Sequence, residues 1–295
     1  MRGGAQSHLM RCSDGHYYVV KFQNNPQHRR VLVNELLGTK LAQRLGLPTT
    51  PVAVVEVSEE LIRYTPELCV ELPRARTPCV AGLQFGSRFP GDPRRLALYD
   101  FLPDEQLREV ANLHEFAGML VFDKWTCNTN GRQTLFYARD AERQHELLPR
   151  KDSPPPVRVP LPEASAAVRA EFGEAGEPEQ RSQVVYTTKM IDQGFCFNAG
   201  EWNFPDAPLR GLYTRNRVYQ GVIGMESFAP WLERLERMGE AVLDEISREI
   251  PPQWYADDYD ALLRLLEQIY RRRTRVPELI LQAKKSSRQP FPNWV

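Results

Sequence analysis

"HYYVVKFQNNPQHRRVLVNELLGTKLAQRLG", residues 16–46, changes its periodicity once, and that change sets the reading of the chain. His16–Phe22 is aromatic and β-branched and follows the turn pair Asp14–Gly15, the pattern of a strand. After a turn rich in Asn, Pro and Gln, Val33, Leu37, Leu41 and Leu45 recur at helical spacing, with Gly46 and Pro48 as stop signals. One charged residue is out of place in each half. Lys21 sits among large apolar strand residues, and burying an ammonium without a partner is costly. It is either an edge lysine reaching back to water or a phosphate-pairing lysine held by a carboxylate. Glu35, interleaved with Val33, Leu36 and Leu37, is either a solvent-facing helix residue or that carboxylate.

The flanks extend the pattern. "RGGAQSH" (residues 2–8) is a glycine pair before a strand, a turn in which backbone amides can approach phosphate oxygens. "TPVAVVEV" and "PCVAGLQFGSRF" read as further strands, so Met1 to about Phe89 is a small α+β unit with one helix. Pro90–Pro93 is a punctuating loop. A helix is expected from about Glu105 to Val121, capped by Asp104, and "FDKWTCNTNGR" (residues 122–132) follows it. "TLFYAR" and "QVVYTTKMID" read as strands. Between them, Asp140–Arg181 is charged and Pro-rich, the composition of a surface insertion, with a short helix expected over Glu163–Phe172. The last third is helical. Phe228, Trp231, Leu235, Met238, Val242 and Ile246 form one stripe, and a second helix follows Asp257 or Asp258 as cap. The run "YRRRTR" (residues 270–275) reads as a solvated helix face.

Composition narrows the function classes. The 295 residues hold 38 basic and 38 acidic side chains, so no global field argues for nucleic acid or an anionic membrane. Five scattered cysteines, with no C-x-x-C pair and no zinc spacing, favour a reducing compartment. No signal core and no bilayer-length apolar run is present, so a cytoplasmic location is expected. Cys127, inside "FDKWTCNTNGR", reads as a packed thiol.

Two stretches carry the remaining chemistry. Asp123 and Asn128 form D-x-x-x-x-N, and "MIDQGF" (residues 190–195) ends a strand in D-x-G with Asp192 and Gly194. Phosphoryl transfer needs a carboxylate beside the attacking hydroxyl and hard oxygen ligands for magnesium. Asp123 meets the first need; Asn128 and Asp192 meet the second.

The order glycine turn, strand lysine, helix glutamate, Asp…Asn and Asp-x-Gly matches that of protein-kinase-like enzymes. In "GGAQSH", "YYVVKF", "NELLGTKLAQRLGLP", "FDKWTCNTNGR" and "MIDQGFCFN" the chain resembles the HipA-like kinases, most closely the small bacterial HipA-like kinase domain proteins. The resemblance implies an α+β, two-lobed protein-kinase-like fold. A small β-rich nucleotide-binding lobe with one helix (residues 1–89) would precede a larger, mainly helical catalytic lobe (90–295) interrupted at about 140–181. It implies ATP and Mg2+ as cofactors and transfer to a serine or threonine hydroxyl of a protein. Some relatives are toxins with an antitoxin partner, so an antitoxin-like partner is expected, with no membrane and no direct nucleic-acid binding. Residue by residue, Lys21 becomes the phosphate lysine, Glu35 its partner and Asp123 the catalytic base. Asn128 and Asp192 become the metal ligands, Gly3, Gly4, Ala5 and Gln6 the phosphate loop, and Arg132 a support of the catalytic loop. Two departures stand out. Val121 and Phe122 replace the His-Arg that precedes the aspartate in protein kinases, and the strand expected to enter the glycine turn is missing. Two other readings are kept: a small-molecule kinase of the aminoglycoside-phosphotransferase type, and a pseudokinase that binds nucleotide without turnover.

Overall fold

In the computed structural model, which describes residues 4–138, 184–256 and 258–295, the N-terminal part is a four-stranded antiparallel sheet of order β1-β2-β6-β3. Its strands are β1 (His8–Arg11), β2 (Tyr17–Lys21), β3 (Val52–Val57) and β6 (Gly82–Arg88), the last labelled by its place after the hairpin β4 (Cys69–Leu72) and β5 (Ala75–Pro78). Lys21 lies opposite Phe85, and Gly86 lies between Val20 and Ala53. A methyl group at Gly86 would come within 2.5 Å of Val55, so the strand needs a glycine there for side chains to cross it.

Helix α1 (Val31–Arg44) is the one expected from the opening stretch, and it is buried almost all round. The sheet packs on one side, and the segment after the last strand packs on another. Asn34 explains the fit. Its amide donates to the carbonyls of Gly194, Cys196 (both 2.9 Å) and Ala199 (2.8 Å), and its oxygen accepts from Trp202 Nε1 (2.8 Å). A second, shorter helix, α2 (Glu59–Tyr64), stands where the sequence reading placed none. Ser58 caps it by accepting from the Leu61 amide at 3.1 Å.

The helix expected over Glu105–Val121 is broken. Only α3 (Asp104–Leu107) and α4 (Glu115–Trp125) are helical, with turns between them. The cause is β8 (Tyr186–Ile191), paired antiparallel with β7 (Gln133–Ala138). Backbone bonds join Glu109 and Ala111 to Tyr186, and Asn112 uses its side-chain oxygen and nitrogen on the Thr188 backbone at 2.9 Å each. Those pairings win over helix propagation. Pro103 takes the cap position, and Asp104 instead pairs with Arg215 and Arg217.

Helix α4 is buried on every face from Phe116 to Trp125 and forms the centre of the C-terminal part. Gly118 lets Trp231 lie against it; a Cβ there would fall 2.3 Å from the indole. The stripe from Phe228 to Ile246 is two helices, α5 (Ala229–Glu236) and α6 (Glu240–Ser247), parted at Gly239. Asp258 caps α7 (Tyr259–Arg272) by accepting from Ala261 N at 3.0 Å, and α8 (Val276–Lys284) follows. Asp257, the Asp140–Arg181 insertion and the helix expected within it lie outside the described residues. The arginine run is not wholly solvated: Arg272 is buried, donating to the carbonyls of Lys124 (3.0 Å) and Phe204 (2.9 Å). A small antiparallel sheet in the N-terminal part and helices in the C-terminal part make an α+β layout consistent with two lobes. No helix of the described residues is long and apolar enough to cross a membrane.

Candidate functional site

A cavity of about 570 Å³ opens between the four-stranded sheet and the β7–β8 hairpin. Val19, Phe85, Leu98, Leu135 and Met190 supply its apolar lining; Lys21, Glu35, Asp192, Gln193 and Asn130 supply polar groups.

Lys21 ends β2 with its ammonium buried. It donates to Glu35 Oε1 in a short contact and to Asp192 Oδ1 at 2.9 Å. Burial by itself pulls the lysine pKa down, but the two carboxylates outweigh it and hold the value above the ordinary range. Glu35 is raised by burial first, with Asp192 adding like-charge repulsion against the pull of Lys21. Asp192 is lowered: burial opposes this, but the Lys21 ammonium and its hydrogen bond prevail. Glu35 also accepts from the amides of Gln193 (3.0 Å) and Gly194 (2.9 Å). Gly194 is required by this contact, since a Cβ there would lie 2.8 Å from Val31 and 3.1 Å from Glu35 Oε1. Asp192 itself takes a left-handed backbone (φ 59°), which aspartate tolerates better than most residues. Its side chain is 18% exposed against 3% for Glu35, so Asp192 is the carboxylate of the pair that opens to the cavity.

Asp123 and Asn128 do not line this cavity. The Asp123 side chain has no exposure; both oxygens are engaged by Arg132, at 3.0 Å from Nε to Oδ2 and in a short contact from Nη2, and Asn128 Nδ2 donates to Oδ1 at 2.9 Å. Gly211 closes over the carboxylate with φ 75°, where a Cβ would lie 2.3 Å from that of Asp123. Lys124 holds the same segment by donating to Pro208 O (2.6 Å) and Arg210 O, and burial pulls its pKa down to about 8. Asn128 Oδ1 accepts from Asn130 N at 3.1 Å. Cys127 is buried in a left-handed backbone, and burial pushes its thiol pKa up, in keeping with a packed residue. Arg132 reaches on from Asp123 to Ile191 O (3.1 Å) and Gln193 Oε1 (2.9 Å), tying the loop to the strand end that carries Asp192.

Gly4, Ala5 and Gln6 line the cavity; Gly3 lies outside the described residues. The turn is pinned by Asn25 Nδ2 on Ala5 O (2.8 Å) and by Gln6, whose side chain pairs both ways with the Glu71 backbone (2.7 and 2.6 Å). Asn34, Gln193 and Asn130 are the site residues the sequence reading missed. The signal for Asn34 was available: an asparagine beside Glu35 in the otherwise apolar run Val31–Leu37 has to find buried partners.

Fold and site together define an α+β protein with a carboxylate-braced lysine in a cavity beneath a small antiparallel sheet. Residues 1–136 match the family model described as HipA-like kinase, so that stretch is similar to this family. No curated protein and no solved structure matches the chain. The family match covers Lys21, Glu35 and the whole Asp123–Arg132 loop, and it stops before Asp192.

Proposed function

We propose that the chain is an ATP- and magnesium-dependent phosphotransferase of kinase-like, two-lobed fold, with residues 1–89 as the nucleotide-binding lobe and 90–295 as the catalytic lobe. Its acceptor is a serine or threonine hydroxyl of a protein. The observation that carries this reading is the Lys21 ion pair with Glu35 and Asp192 at a cavity wall. A buried ammonium with two carboxylates is poor design for stability alone. It suits a site whose charge is completed by phosphate and a cation.

The residues present fit those groups. Apolar side chains can receive a flat base, the Gly4–Gln6 turn offers backbone amides near Lys21, and Asp192 presents a hard oxygen. Among the described residues no cluster of three or more His, Cys, Asp or Glu could hold an ion alone, so the cation is expected to arrive with nucleotide. When bound, the metal–nucleotide supplies the phosphoryl group and neutralises its charge. Lys21 then orients phosphate oxygens, Glu35 fixes Lys21, and Arg132 keeps the loop docked against the Asp192 strand. The sequence reading makes Asp123 the base and Asn128 a metal ligand. Because Asp123 already accepts three N–H bonds behind Gly211, the reading proposed here makes both of them positioning residues for the loop.

That sealed carboxylate also favours a second reading, a nucleotide-binding module without turnover. Titration with magnesium and a non-hydrolysable ATP analogue, followed by incubation with radiolabelled ATP and host lysate, separates the two. Absence of nucleotide binding would sink both; binding without label transfer leaves the second.

A further inference from the structure

The loop from Thr126 to Arg132 is tied to the segment after β8 at both ends. Thr129 N donates to Phe195 O (3.1 Å), Phe197 N to Thr126 O (2.6 Å), and Arg132 holds Ile191 O and Gln193 Oε1. Between these ties only Asn130 lines the cavity, on the side of Asp192 and Gln193. Its oxygen accepts from Gly131 N (2.9 Å), which keeps the side chain in place, and its amide nitrogen donates to no described residue. The two other polar side chains at the expected positions, Asp123 and Asn128, are spent on Arg132 and on the loop backbone. The cavity's remaining carboxylates do not replace them. Glu35 and Asp192 are engaged with Lys21, and Asp100 comes from outside the loop: it follows Tyr99, whose antiparallel bridge to Phe136 sets it beside Leu135, two residues along β7 from the loop end at Gln133. At about 3.3 Å per residue that is roughly 7 Å along the strand from the loop end.

We propose that Asn130 is the residue by which this loop reaches the reacting groups, and that the loop positions the acceptor through an amide and supplies no proton acceptor. This rests on the phosphotransferase reading. The acceptor hydroxyl oxygen bonds to the terminal phosphorus of ATP, the bond to the bridging oxygen breaks, and ADP leaves with that electron pair. The hydroxyl proton passes to bulk water. Catalysis is then by orientation and charge neutralisation, and turnover is slow for want of a base.

The test uses the full chain with Mg2+ and ATP, reading transfer of the terminal phosphate to protein or water, nucleotide affinity by titration with a non-hydrolysable analogue, and thermal melting. Asn130→Asp adds a carboxylate at the one loop position facing the cavity. A gain of about a hundredfold in transfer is expected, the scale of general-base assistance. Affinity for the magnesium–analogue complex should stay within threefold on the order of a hydrogen-bond change. Asn130→Ala should lose about tenfold in whatever transfer the wild type shows, with melting unchanged. Asn130→Asp at or below the wild-type rate, with binding intact, overturns the claim that the loop lacks a base. A loss of affinity of tenfold or more in Asn130→Asp also overturns it, since the added charge would then meet phosphate. Failure of the phosphotransferase reading is distinct: the wild type itself would bind no magnesium–nucleotide.

Discussion

Lys21 and Asp192 are 171 residues apart in the chain and 2.9 Å apart in the fold. The contact joins the end of β2 to the end of β8, and Glu35 from α1 completes it. Asn34, the residue before Glu35, fixes the distance between those elements by holding three carbonyls of the segment after Asp192. The ion pair is therefore a junction between the sheet and the rest of the molecule as well as a candidate phosphate site.

Removing the cation from that junction leaves two buried carboxylates facing each other. Lys21→Ala should lose about 3–5 kcal/mol at neutral pH, the usual cost of breaking a buried pair from one side. The pH dependence gives the signature. In the wild type the raised Lys21 pKa contributes stability below the ordinary lysine value, lost only as pH rises through the raised one. In the mutant the carboxylates have lost their ammonium, so their raised pKa values make the protein more stable as pH falls and one takes a proton. Urea melts at pH 5 and pH 8 check this; a mutant equally stable at both would contradict the geometry.

Asn34→Ala leaves the carbonyls of Gly194, Cys196 and Ala199 and the Trp202 indole without their partner. Each buried orphan costs about 1–3 kcal/mol, softened where water can enter. A total loss of roughly 3 kcal/mol is expected. Because the freed segment carries Gln193 and Gly194, which donate to Glu35, nucleotide affinity should fall as well. Calorimetry and the analogue titration measure both; a stable mutant with weakened binding would mean that the bonds serve the site and not the fold.

Lys124 is buried without a described ion-pair partner and has its pKa pulled down to about 8. A base with a lowered folded pKa binds protons less readily folded than unfolded. The Lys124 contribution to stability should therefore rise with pH from about 8 towards the unfolded value of about 10.4. Lys124→Met removes that rising contribution, and because the buried thiols, Cys127 among them, act in the opposite direction over the same window, the mutant's slope should be more negative than the wild type's. Chemical denaturation at pH 8, 9 and 10 for both proteins decides it.

Gly211 sits at φ 75°, with the space for a Cβ already taken by Asp123. Gly211→Ala adds both a strained backbone and an overlap, and should cost about 2–4 kcal/mol. Gly239 has open space around it and an extended backbone. Gly239→Ala is the matched control and should change stability by less than about 1 kcal/mol. Equal melting temperatures for the two variants would show that the segment over Asp123 is free to move aside.

Much of this was legible in the sequence where periodicity and charge disagree. The strand, the helix and the odd placement of Lys21 and Glu35 all lie within 31 residues, and local spacing suffices to read them. The broken helix before Asp123 was not legible, because Asn112 gives up its helical role to pair with Thr188, 76 residues on. Which side of the Asp123 loop faces the cavity was hidden for the same reason. Spacing puts Asp123, Asn128 and Asn130 in one short run. The choice among them is made by Arg132, and its contacts with Ile191 and Gln193 belong to a strand read only as a separate piece.

The Asp123–Arg132 pair is the point at which sequence and geometry give opposite forecasts. If Asp123 were a helix-end cap or an exposed base, asparagine would fit with little change in fold. In the structure the carboxylate holds a fully buried guanidinium, and Asn in its place leaves that charge without compensation. Asp123→Asn should therefore lose about 3–5 kcal/mol, a drop visible in melting before any assay of transfer. Arg132→Met alone strands the carboxylate and should cost a similar amount. The double variant Asp123→Asn with Arg132→Met removes both charges and should recover much of the loss, so the cycle should return a coupling of at least about 2 kcal/mol. Additive losses in the cycle would mean that the pair is not formed, and Asp123 would again be free to face an acceptor.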